Sequence, residues 1–422
     1  MSSANKNRAG SRSLLVAGAG IPGLSLALAL KQANGPALEV TICDPGLSAV
    51  RARHRGRAFA VAAGPRRMFE RLGLWERIAP AAEPIRDMVI TDSRLADPVR
   101  PTFLTFAQRS AEDESRGEPF AHMVEAEAFV DVLLRAGAET GIGFEATGIT
   151  TALPERDRIR ATLGDGRDLA ASLLVAADGG RSRLREAAGI SWVGWSYPQS
   201  GIVATIAHER DHEGRAYEHF LPSGPFAILP LPDRDGRHRS SIVWTERQAD
   251  VPALLGGSAD ETLAAIERRF GLSLGHIELE DGPSAHPLSF GIARRFCGDR
   301  LALLGDAAHV IHPVAGQGLN LGLSDAAALA EAITEALRLG TDPGAPEVLR
   351  AYERARRFDT VAMAAATDGL NRLFSNDALP VRLARDFGLG LVDRLPGLKR
   401  FFIGEASAIR GAQPRLLRGD AL

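Results

Sequence analysis

The segment Gly18-Ala19-Gly20-Ile21-Pro22-Gly23, near the amino terminus, has the G-x-G-x-x-G spacing of a dinucleotide-binding turn. It follows an apolar run at 13–17, which predicts a buried strand, and it opens a predicted helix over 22–33. Glycines here allow a tight turn and let backbone amides approach a pyrophosphate, to which the helix N-terminus adds partial positive charge. A glycine-rich turn without a ligand is the alternative, and the strand and helix around the motif argue against it.

An acidic residue completes this unit. Residues 38–43 predict a second strand, and Asp44 ends it, 21 residues after Gly23. A carboxylate at that place accepts hydrogen bonds from an adenosine ribose. The resulting βαβ unit does not by itself distinguish NAD from FAD. Its predicted cofactor contacts are Gly18, Gly20, Ile21, Pro22, Gly23 and Asp44.

A second glycine-rich region lies near residue 310. An apolar strand ends in Gly305-Asp306, and residues 316–322 (Gly-Gln-Gly-Leu-Asn-Leu-Gly) open a predicted helix that runs to about Leu339, with Gly340 as its stop. The N-terminus of such a helix can stabilise the negative charge of a reduced flavin. Asp306 can accept hydrogen bonds from a ribityl chain. A tight crossover is the alternative, but it does not explain so many glycines.

A third segment, residues 178–185, begins with Asp178-Gly179-Gly180 after an apolar strand predicted at 173–177. It continues with Arg181, Arg183 and Arg185. An Asp-Gly pair at a strand end, followed by guanidinium groups, suits contact with phosphates or ribityl hydroxyls. The alternative is a helix-capping aspartate beside solvated arginines.

Together, in the order GxGxxG, DG, GD, these segments resemble the class A flavoprotein monooxygenases, the fold group of para-hydroxybenzoate hydroxylase. The resemblance implies an α/β fold: a discontinuous Rossmann-like FAD-binding domain, an inserted antiparallel β-sheet substrate domain and a helical C-terminal part. It also implies one FAD, NAD(P)H or another donor as reductant, and O2 as co-substrate.

The domain boundaries follow from this resemblance and from changes of pattern along the chain. We expect a disordered N-terminus at 1–12, a first part of the FAD-binding domain at 13–189, with some of the substrate region near 84–120, and a charged loop at 109–118. The substrate domain is expected at 190–285, with strands at 201–208, 215–231 and 239–245 and a capped helix beginning at Ser258 and Glu261. The second part of the FAD-binding domain follows at 286–365 and the helical region at 366–422.

Further segments narrow the resemblance to one branch of the family. They are Arg57 with 58–60 and 72–75, 224–231 leading into 242–245, 312–322, 367–370 and 373–375. These resemble the ubiquinone-biosynthesis hydroxylases, which hydroxylate polyprenyl phenols, from Ser13 to about Arg410. Two places depart from the family pattern: Asp44 stands where many relatives have Glu, and Glu125-Ala126-Glu127 stands where relatives often have Arg or Asn near the flavin.

The resemblance also implies site roles. A flavin C4a-hydroperoxide would transfer its distal oxygen to the electron-rich ring carbon. Pro313, Gly316, Gln317 and Gly318 would form the environment of the flavin ring, and the further cofactor contacts would be Arg57, Asp178, Gly305, Asp306, Gly316, Gly318, Leu319 and Asn320. For Arg57, a role as one more exposed arginine has equal weight.

The sequence names no group that activates the phenol. His309 is expected to cap or pack, and His312 to shape the turn that faces the flavin. Tyr217, His219 and Trp244 lie on the predicted substrate sheet, where ordinary sheet packing is the favoured role.

Composition limits the other function classes. The 422 residues carry a formal net charge of −2, which gives no indication of nucleic-acid binding, and the two cysteines are too few for a disulfide framework or a metal site. No metal is expected. The apolar run 14–30 contains Gly18, Gly20, Pro22 and Gly23, which argues against a signal peptide or membrane helix.

We therefore expect a cytoplasmic protein. Residues 374–418 mix apolar and basic side chains that could rest on the inner face of a membrane or dock on other quinone-biosynthesis enzymes, although packing on the FAD-binding domain is favoured.

The predicted function is FAD-dependent hydroxylation of a polyprenyl phenol in ubiquinone biosynthesis. The alternatives are a hydroxylase of a soluble phenol or aromatic acid, an FAD reductase acting on prenyl double bonds, and a non-catalytic flavin-binding subunit of a quinone-biosynthesis assembly. The sequence leaves open the ring position, the prenyl length, the choice of NADH, NADPH or another donor, and the oligomeric state.

Overall fold

The computed structural model describes residues 12–92, 95, 102–107, 119–271, 273–313, 316–375 and 413–422. Three predictions lie wholly or largely outside these residues: the disorder of the N-terminus, the charged loop at 109–118, and the basic, apolar surface at 374–418. Arg12, included in the predicted disordered segment, is the first residue of a strand.

The strands are short in the first half of the chain and long in the middle. In chain order they are β1 (Arg12–Ala17), β2 (Leu38–Cys43), β3 (Ala58–Ala62), β4 (Ala82–Ile85), β5 (Asp87–Asp92), β6 (Thr102–Ala107), β7 (Ala121–Glu125), β8 (Gly143–Glu145), β9 (Ile149–Pro154), β10 (Ile159–Leu163), β11 (Asp168–Ala171), β12 (Leu173–Ala176), β13 (Trp192–His208), β14 (Arg215–Leu221), β15 (Gly224–Arg234), β16 (Arg237–Arg247), β17 (Ile277–Ala293), β18 (Cys297–Gly298), β19 (Leu301–Leu303) and β20 (His309–Val310).

The α-helices include two long ones near the C-terminus. They are α1 (Ile21–Asn34), α2 (Ala63–Arg71), α3 (Trp75–Ile78), α4 (Ala126–Glu139), α5 (Arg183–Ala187), α6 (Val251–Leu255), α7 (Ala259–Phe270), α8 (Gln317–Arg338), α9 (Pro346–Phe374) and α10 (Arg415–Arg418). Among the described residues, no helix is both long enough and apolar enough to cross a membrane.

A six-stranded sheet forms the centre of the nucleotide-binding part, in the order β18-β19-β12-β1-β2-β8. Its strands are parallel except for β18 at the edge. Leu14, Leu15 and Val16 of β1 and all four residues of β12 are buried, because helices or other strands cover both faces of such a sheet. The chain returns to this sheet at β19, which pairs in parallel with β12, as expected for a discontinuous Rossmann-like fold.

Local signals in this part are confirmed. The predicted helix over 22–33 is α1, and the long helix after the second glycine-rich region ends at Arg338, with Gly340 at φ +74°. The segment Gly164-Asp165-Gly166-Arg167, whose two glycines predict a hairpin turn, joins β10 and β11, which pair antiparallel. The capping box of Ser258 and Glu261 is present at the start of α7.

The second large sheet has eight strands, in the order β20-β17-β13-β16-β15-β14-β5-β6. The single strand predicted at 215–231 is wrong: it is two strands, β14 and β15, which pair antiparallel across a turn at Pro222-Ser223. Strand β14 also pairs with β5 in parallel, a contact between segments more than a hundred residues apart that no local pattern indicates. Strand β17 runs without a break across residue 285, where the substrate domain was predicted to end. The division into domains stays a prediction.

The two faces of the eight-stranded sheet have different neighbours. One face packs against α7 through a core that includes Ile202, Phe226, Trp244, Ile266 and Phe270. On the other face, Phe220 and Phe290 pack with residues of α9 and with the turn before α8. The second face therefore looks towards the nucleotide-binding part.

A buried carboxylate on α8 holds three elements together. Asp325 is fully buried and accepts hydrogen bonds from His309 Nε2 at 2.6 Å, from Arg356 Nε at 2.8 Å and from the backbone N–H of Gly305 at 3.3 Å. Burial by itself raises the pKa of Asp325, but His309 and Arg356 outweigh it and lower that pKa. The prediction that His309 packs rather than reacts is consistent with this bond.

We expect Asp325→Asn to lower the free energy of unfolding by about 3–5 kcal/mol, because it leaves the buried Arg356 guanidinium with only the more distant carboxylate of Asp359, at 3.6 Å, as a compensating charge. Urea unfolding under matched conditions measures the change. Glu347→Gln, which breaks an exposed ion pair with Arg350, is the control and should cost less than about 1 kcal/mol. Equal losses in the two variants would show that the buried carboxylate does not have this role.

Candidate functional site

The three glycine-containing segments meet at one place. A Cβ atom on Gly322 of α8 would lie 3.0 Å from Pro22 Cγ and 3.4 Å from Gly305 Cα, so Pro22 is wedged between the GD turn and α8. A Cβ on Gly180 would lie 2.9 Å from Val310 Cγ2, which places the DG turn beside the same region. The N-termini of α1 and α8 are thereby brought to one crevice.

The backbone around Gly18, the first glycine of the motif, requires a residue without a side chain. Gly18 has φ +116°, and a Cβ there would collide with the carbonyl oxygen of Ala177 at the end of β12. Its N–H donates to the carbonyl of Cys43 at 2.9 Å. The turn therefore fits between two strands of the parallel sheet only if this residue has no side chain.

Asp44 positions the same turn. Its buried carboxylate accepts hydrogen bonds from the backbone N–H of Ala19 at 2.9 Å and of Gly46 at 2.7 Å, and from Arg53 at 3.1 Å. The predicted ribose contact is thus a residue that also orients the glycine-rich turn.

Two other glycines have open space around them. A Cβ on Gly20 would approach no atom nearer than Pro22 Cδ at 3.9 Å, and one on Gly318 would meet nothing within 4 Å. Gly318 lies in the first turn of α8, where alanine would be the better helix former. Protein atoms do not explain these glycines, whereas a group approaching the backbone N–H donors of α1 and α8 would. The arrangement therefore fits a dinucleotide such as FAD, with the phosphates at α1 and the flavin at α8.

Asp306 and Arg57 lie close enough for each to influence the pKa of the other. The Asp306 side chain is exposed although many protein atoms surround it, as expected for a group at the bottom of a cleft. Their crowding raises the pKa of Asp306, while His309 and Arg57 act to lower it. Among the described residues, none donates a hydrogen bond to this carboxylate, so its oxygens remain available to ribityl hydroxyl groups. Burial lowers the pKa of Arg57 while Asp306 acts to raise it, and the Arg57 guanidinium lies 5.4 Å from the Phe59 ring centroid.

The arginine cluster after Asp178 is only partly as predicted. Arg185 is buried, not solvated: it donates to the carbonyls of Gly180 and Ala307, both at 3.0 Å, and stacks on Trp192 at 4.0 Å. It thereby joins the DG turn to the GD turn. Asp178 is exposed, and its carboxylate accepts a long hydrogen bond, 3.5 Å, from the N–H of Leu184.

The turn before α8 is held against β3. Asn320 donates to the carbonyl of Ala60 at 2.9 Å and accepts from the N–H of Ala62 at 3.0 Å. Both ends of its side-chain amide are therefore occupied within the protein, and a cofactor contact at this position would have to use the backbone. Gly316 caps α8 with φ +63°; Val314 and Ala315 lie outside the described residues.

A cavity of about 180 Å³ separates this turn from the eight-stranded sheet. Its walls are mostly apolar. The turn contributes Pro313, Gly316, Gln317 and Asn320; strands β3, β4, β5 and β7 contribute Ala58, Phe59, Ala60, Ala62, Ile85, Met88, Ala121 and Met123; the sheet contributes Val203, Glu218, Pro225, Ala227, Leu229, Val243 and Thr245; Arg57 and Phe120 complete the lining. The predicted flavin-ring residues Pro313, Gly316 and Gln317 thus border a space of the size of one aromatic ring.

Glu218 is the residue of this cavity that sequence reasoning missed. It is 8% exposed on β14, and burial raises the pKa of its carboxyl group to about 7. A carboxylate within the otherwise uncharged segment 216–221, with apolar residues two positions away on either side, is the signal that could have found it.

The aromatic residues singled out on the sheet lie on its other face. Trp244 belongs to the core against α7 and donates to Glu246 at 3.2 Å, and His219 Nδ1 lies 2.7 Å from the Thr91 hydroxyl. Both contacts agree with the favoured role in sheet packing. Glu125, at the position where relatives often carry Arg or Asn, accepts from Arg234 and Arg239 instead.

His312 is fully buried beside Tyr197, with ring centroids 5.1 Å apart, and burial lowers its pKa to about 4. It does not line the cavity. Within the part of the chain that the structure describes, no group of three or more His, Cys, Asp or Glu side chains could hold a metal ion.

Comparison with known proteins assigns the family. Residues 12–367 match the family described as FAD binding domain. The chain is 43% identical over 414 residues to ubiquinone hydroxylase UbiL of Rhodospirillum rubrum, covering 97% of this chain and 93% of that protein. It is 30% identical to the 3-demethoxyubiquinol 3-hydroxylase of Escherichia coli, over 92% of this chain and 96% of that protein. The mouse mitochondrial ubiquinone biosynthesis monooxygenase COQ6 is 29% identical, with 93% and 90% covered.

Solved structures agree on the fold. P. aeruginosa PqsL, solved with 2-aminobenzoylacetate, superposes with a TM-score of 0.73 at 21% identity, over 91% of this chain and all of that one. The p-nitrophenol 4-monooxygenase PnpA of Pseudomonas putida DLL-E4 gives 0.73 at 19% identity, over 95% and 99%. The chain belongs to the class A FAD-dependent aromatic monooxygenases, within the ubiquinone-hydroxylase branch of that family.

Proposed function

We propose that this enzyme hydroxylates the aromatic ring of a polyprenyl phenol in ubiquinone biosynthesis, with FAD, O2 and NAD(P)H. The observation that carries the proposal is the small apolar cavity between the turn before α8 and the eight-stranded sheet. A cavity of roughly 150 Å³ lined by apolar side chains accommodates benzene. At about 180 Å³, this cavity suits the ring of such a substrate and excludes a long prenyl chain, which would extend from its mouth.

The cofactor would be held along the crevice. The N–H groups at the start of α1 would bind the pyrophosphate, Asp44 the ribose and Asp306 the ribityl chain, beside Arg57. The start of α8 would face the pyrimidine end of the flavin ring and stabilise negative charge on it. When bound and reduced, FAD supplies the chemistry that activates O2 and provides the oxygen atom for the ring.

The protein's own contribution is position and the exclusion of water. Ala58, Ala60, Met88 and Val243 are among the apolar side chains of the cavity and would enclose the ring, and Pro313 and Gly316, which also line it, would lie between the ring and the flavin. Excluding water strengthens electrostatic interactions inside the site and protects reactive species from side reactions.

The proposed cofactor path predicts a separation between folding and FAD binding at Gly20. We expect Gly20→Ala to leave the unfolding free energy of the FAD-free protein near that of the native chain, because there is room for the methyl group. It should weaken FAD binding by ~10-fold or more, equivalent to roughly 1.4 kcal/mol, because the methyl group blocks the approach of the phosphates. Flavin fluorescence titration measures the affinity.

The control for this experiment is Gly282→Ala, on β17, where an added Cβ also meets nothing within 4 Å. It should bind FAD like the native chain. Unchanged FAD affinity in Gly20→Ala would rule out a phosphate position at the start of α1.

The pathway is tested in a cell whose own copy of the gene is deleted. We expect mass spectrometry to detect an under-hydroxylated polyprenyl phenol, whose fragmentation helps to locate the missing hydroxyl. The native chain should restore the quinone, and Asp306→Ala should not. An unchanged quinone profile in the deleted strain would contradict the ubiquinone assignment and favour a soluble phenol as substrate.

A further inference from the structure

The cavity contains one carboxylate for which the described structure provides no partner. Glu218 is 8% exposed, lines the cavity, and accepts no hydrogen bond from any described residue. A buried polar group is normally hydrogen-bonded, and burying an isolated charge is costly. A buried, unpaired carboxylate that borders a ligand-sized space therefore calls for a partner that the ligand brings.

The register of the sheet fixes where Glu218 points. It pairs with Ala227 on β15 and with Ile90 on β5, and Ala227 pairs in turn with Val243 on β16. Residues in one such row share a face of a sheet, and Ala227 and Val243 both line the cavity. Glu218 is thus the single carboxylate in an apolar row across the floor of the cavity.

Neighbouring titratable groups are directed elsewhere. His122 of β7 packs on Trp75, Glu125 pairs with Arg234 and Arg239, Arg215 lies beside Asp87, and Glu246 pairs with Arg269. Burial raises the pKa of Glu83 on β4, and the charges that act on it are those of His212, Asp233, Arg86 and Asp211. Tyr217 and His219 lie on the opposite face of β14. Arg57 is the other charged residue of the lining, and its electrostatic partner is Asp306.

We propose that the Glu218 carboxylate binds the ring hydroxyl of the phenolic substrate and acts as the general base that takes its proton during hydroxylation. This inference rests on the proposed function and names the activating group that the motifs do not reveal. A phenol hydroxyl in the cavity would supply the hydrogen-bond donor that Glu218 lacks.

Proton transfer moves one proton from the phenol to Glu218 and later returns it. The phenolic O–H bond breaks and an O–H bond forms on a Glu218 oxygen, while the electron pair left on the phenol oxygen moves into the ring. The ring carbon uses this density to bond to one oxygen atom of O2, which arrives as a hydroxyl group as the O–O bond breaks. The other oxygen atom leaves as water, and the two electrons come from NAD(P)H by way of FAD. That carbon then loses its hydrogen as a proton to solvent, the ring becomes aromatic again, and the phenol oxygen recovers a proton from Glu218.

The decisive experiment uses FAD-loaded enzyme and a phenol with a three-isoprene chain next to its hydroxyl, dispersed in detergent. General base catalysis contributes about 100-fold or more, so Glu218→Gln should reduce hydroxylated product per NAD(P)H consumed by that order, with peroxide released instead. Glu218→Asp should retain part of the coupling. Glu278→Gln, an exposed glutamate on β17, is the matched control and should behave like the native enzyme.

The pH profile separates a base from a structural residue. Burial places the pKa of Glu218 at about 7, so product formation by the native enzyme should rise as the pH rises through that region and then level off. Glu218→Gln should lack this rise. FAD affinity and the flavin spectrum without substrate should be unchanged in Glu218→Gln; a change in either would assign Glu218 to the cofactor and overturn the proposal.

Stability gives an independent readout. Because the folded-state pKa of Glu218 is raised, the folded protein keeps a proton that the unfolded chain releases, and this group destabilises the fold increasingly as pH rises from about 4.5 towards 7. Glu218→Gln should therefore melt higher than the native holoenzyme at pH 8, with a smaller difference at pH 5. A lower melting temperature at pH 8 would reveal a structural role and contradict the proposal.

Two outcomes separate the role of Glu218 from the proposed function of the enzyme. If the native holoenzyme hydroxylates the phenol and Glu218→Gln does so with equal coupling and the same pH profile, the role of Glu218 is disproved and the proposed function stands. If the native holoenzyme neither binds nor hydroxylates any phenol offered, the proposed function fails, and the role of Glu218 fails with it.

Discussion

The buried carboxylate of Asp325 is the interaction on which the site geometry depends. It holds the Gly305 N–H, His309 and Arg356, and so fixes the GD turn and α9 relative to α8. A buried charge of this kind is tolerated only when the surrounding donors are all in place. The start of α8 therefore has little freedom to shift relative to Gly305 and Pro22. A flavin site needs that constraint, because stabilisation of developing charge requires donors that are already positioned.

Local chemistry explains what the sequence made predictable. The G-x-G-x-x-G turn, the hairpin at 164–167, the capping box at Ser258 and the helix stop at Gly340 each depend on a few neighbouring residues, and each is present. The parallel pairing of β14 with β5 depends instead on segments far apart in the chain. The same is true of Arg185, whose partners, Gly180 and Ala307, become neighbours only when two strand ends meet.

In the candidate site, too, the residues that depend on long-range strand pairing could not be predicted from the sequence. The glycine motifs identified the three segments that come together beside the starts of α1 and α8, because backbone geometry restricts which residues can form such turns. Glu218 was not predicted, since its importance follows from the register of β14: a shift of one residue would turn it towards α7 and bring His219 to the cavity. Tyr217, His219 and Trp244 are the residues of this sheet that stand out in the sequence. The alternation of side chains along the strands places them on the face that points away from the cavity.

The small volume of the cavity has an evolutionary consequence under the proposed function. A cavity that encloses one ring recognises the head group and leaves the isoprene units outside, so its residues do not select for the number of isoprene units. A lineage could then lengthen or shorten its quinone tail through another enzyme without any compensating change here. Selection on this cavity would act on ring substituents, and tail length would be free to follow the properties of the membrane.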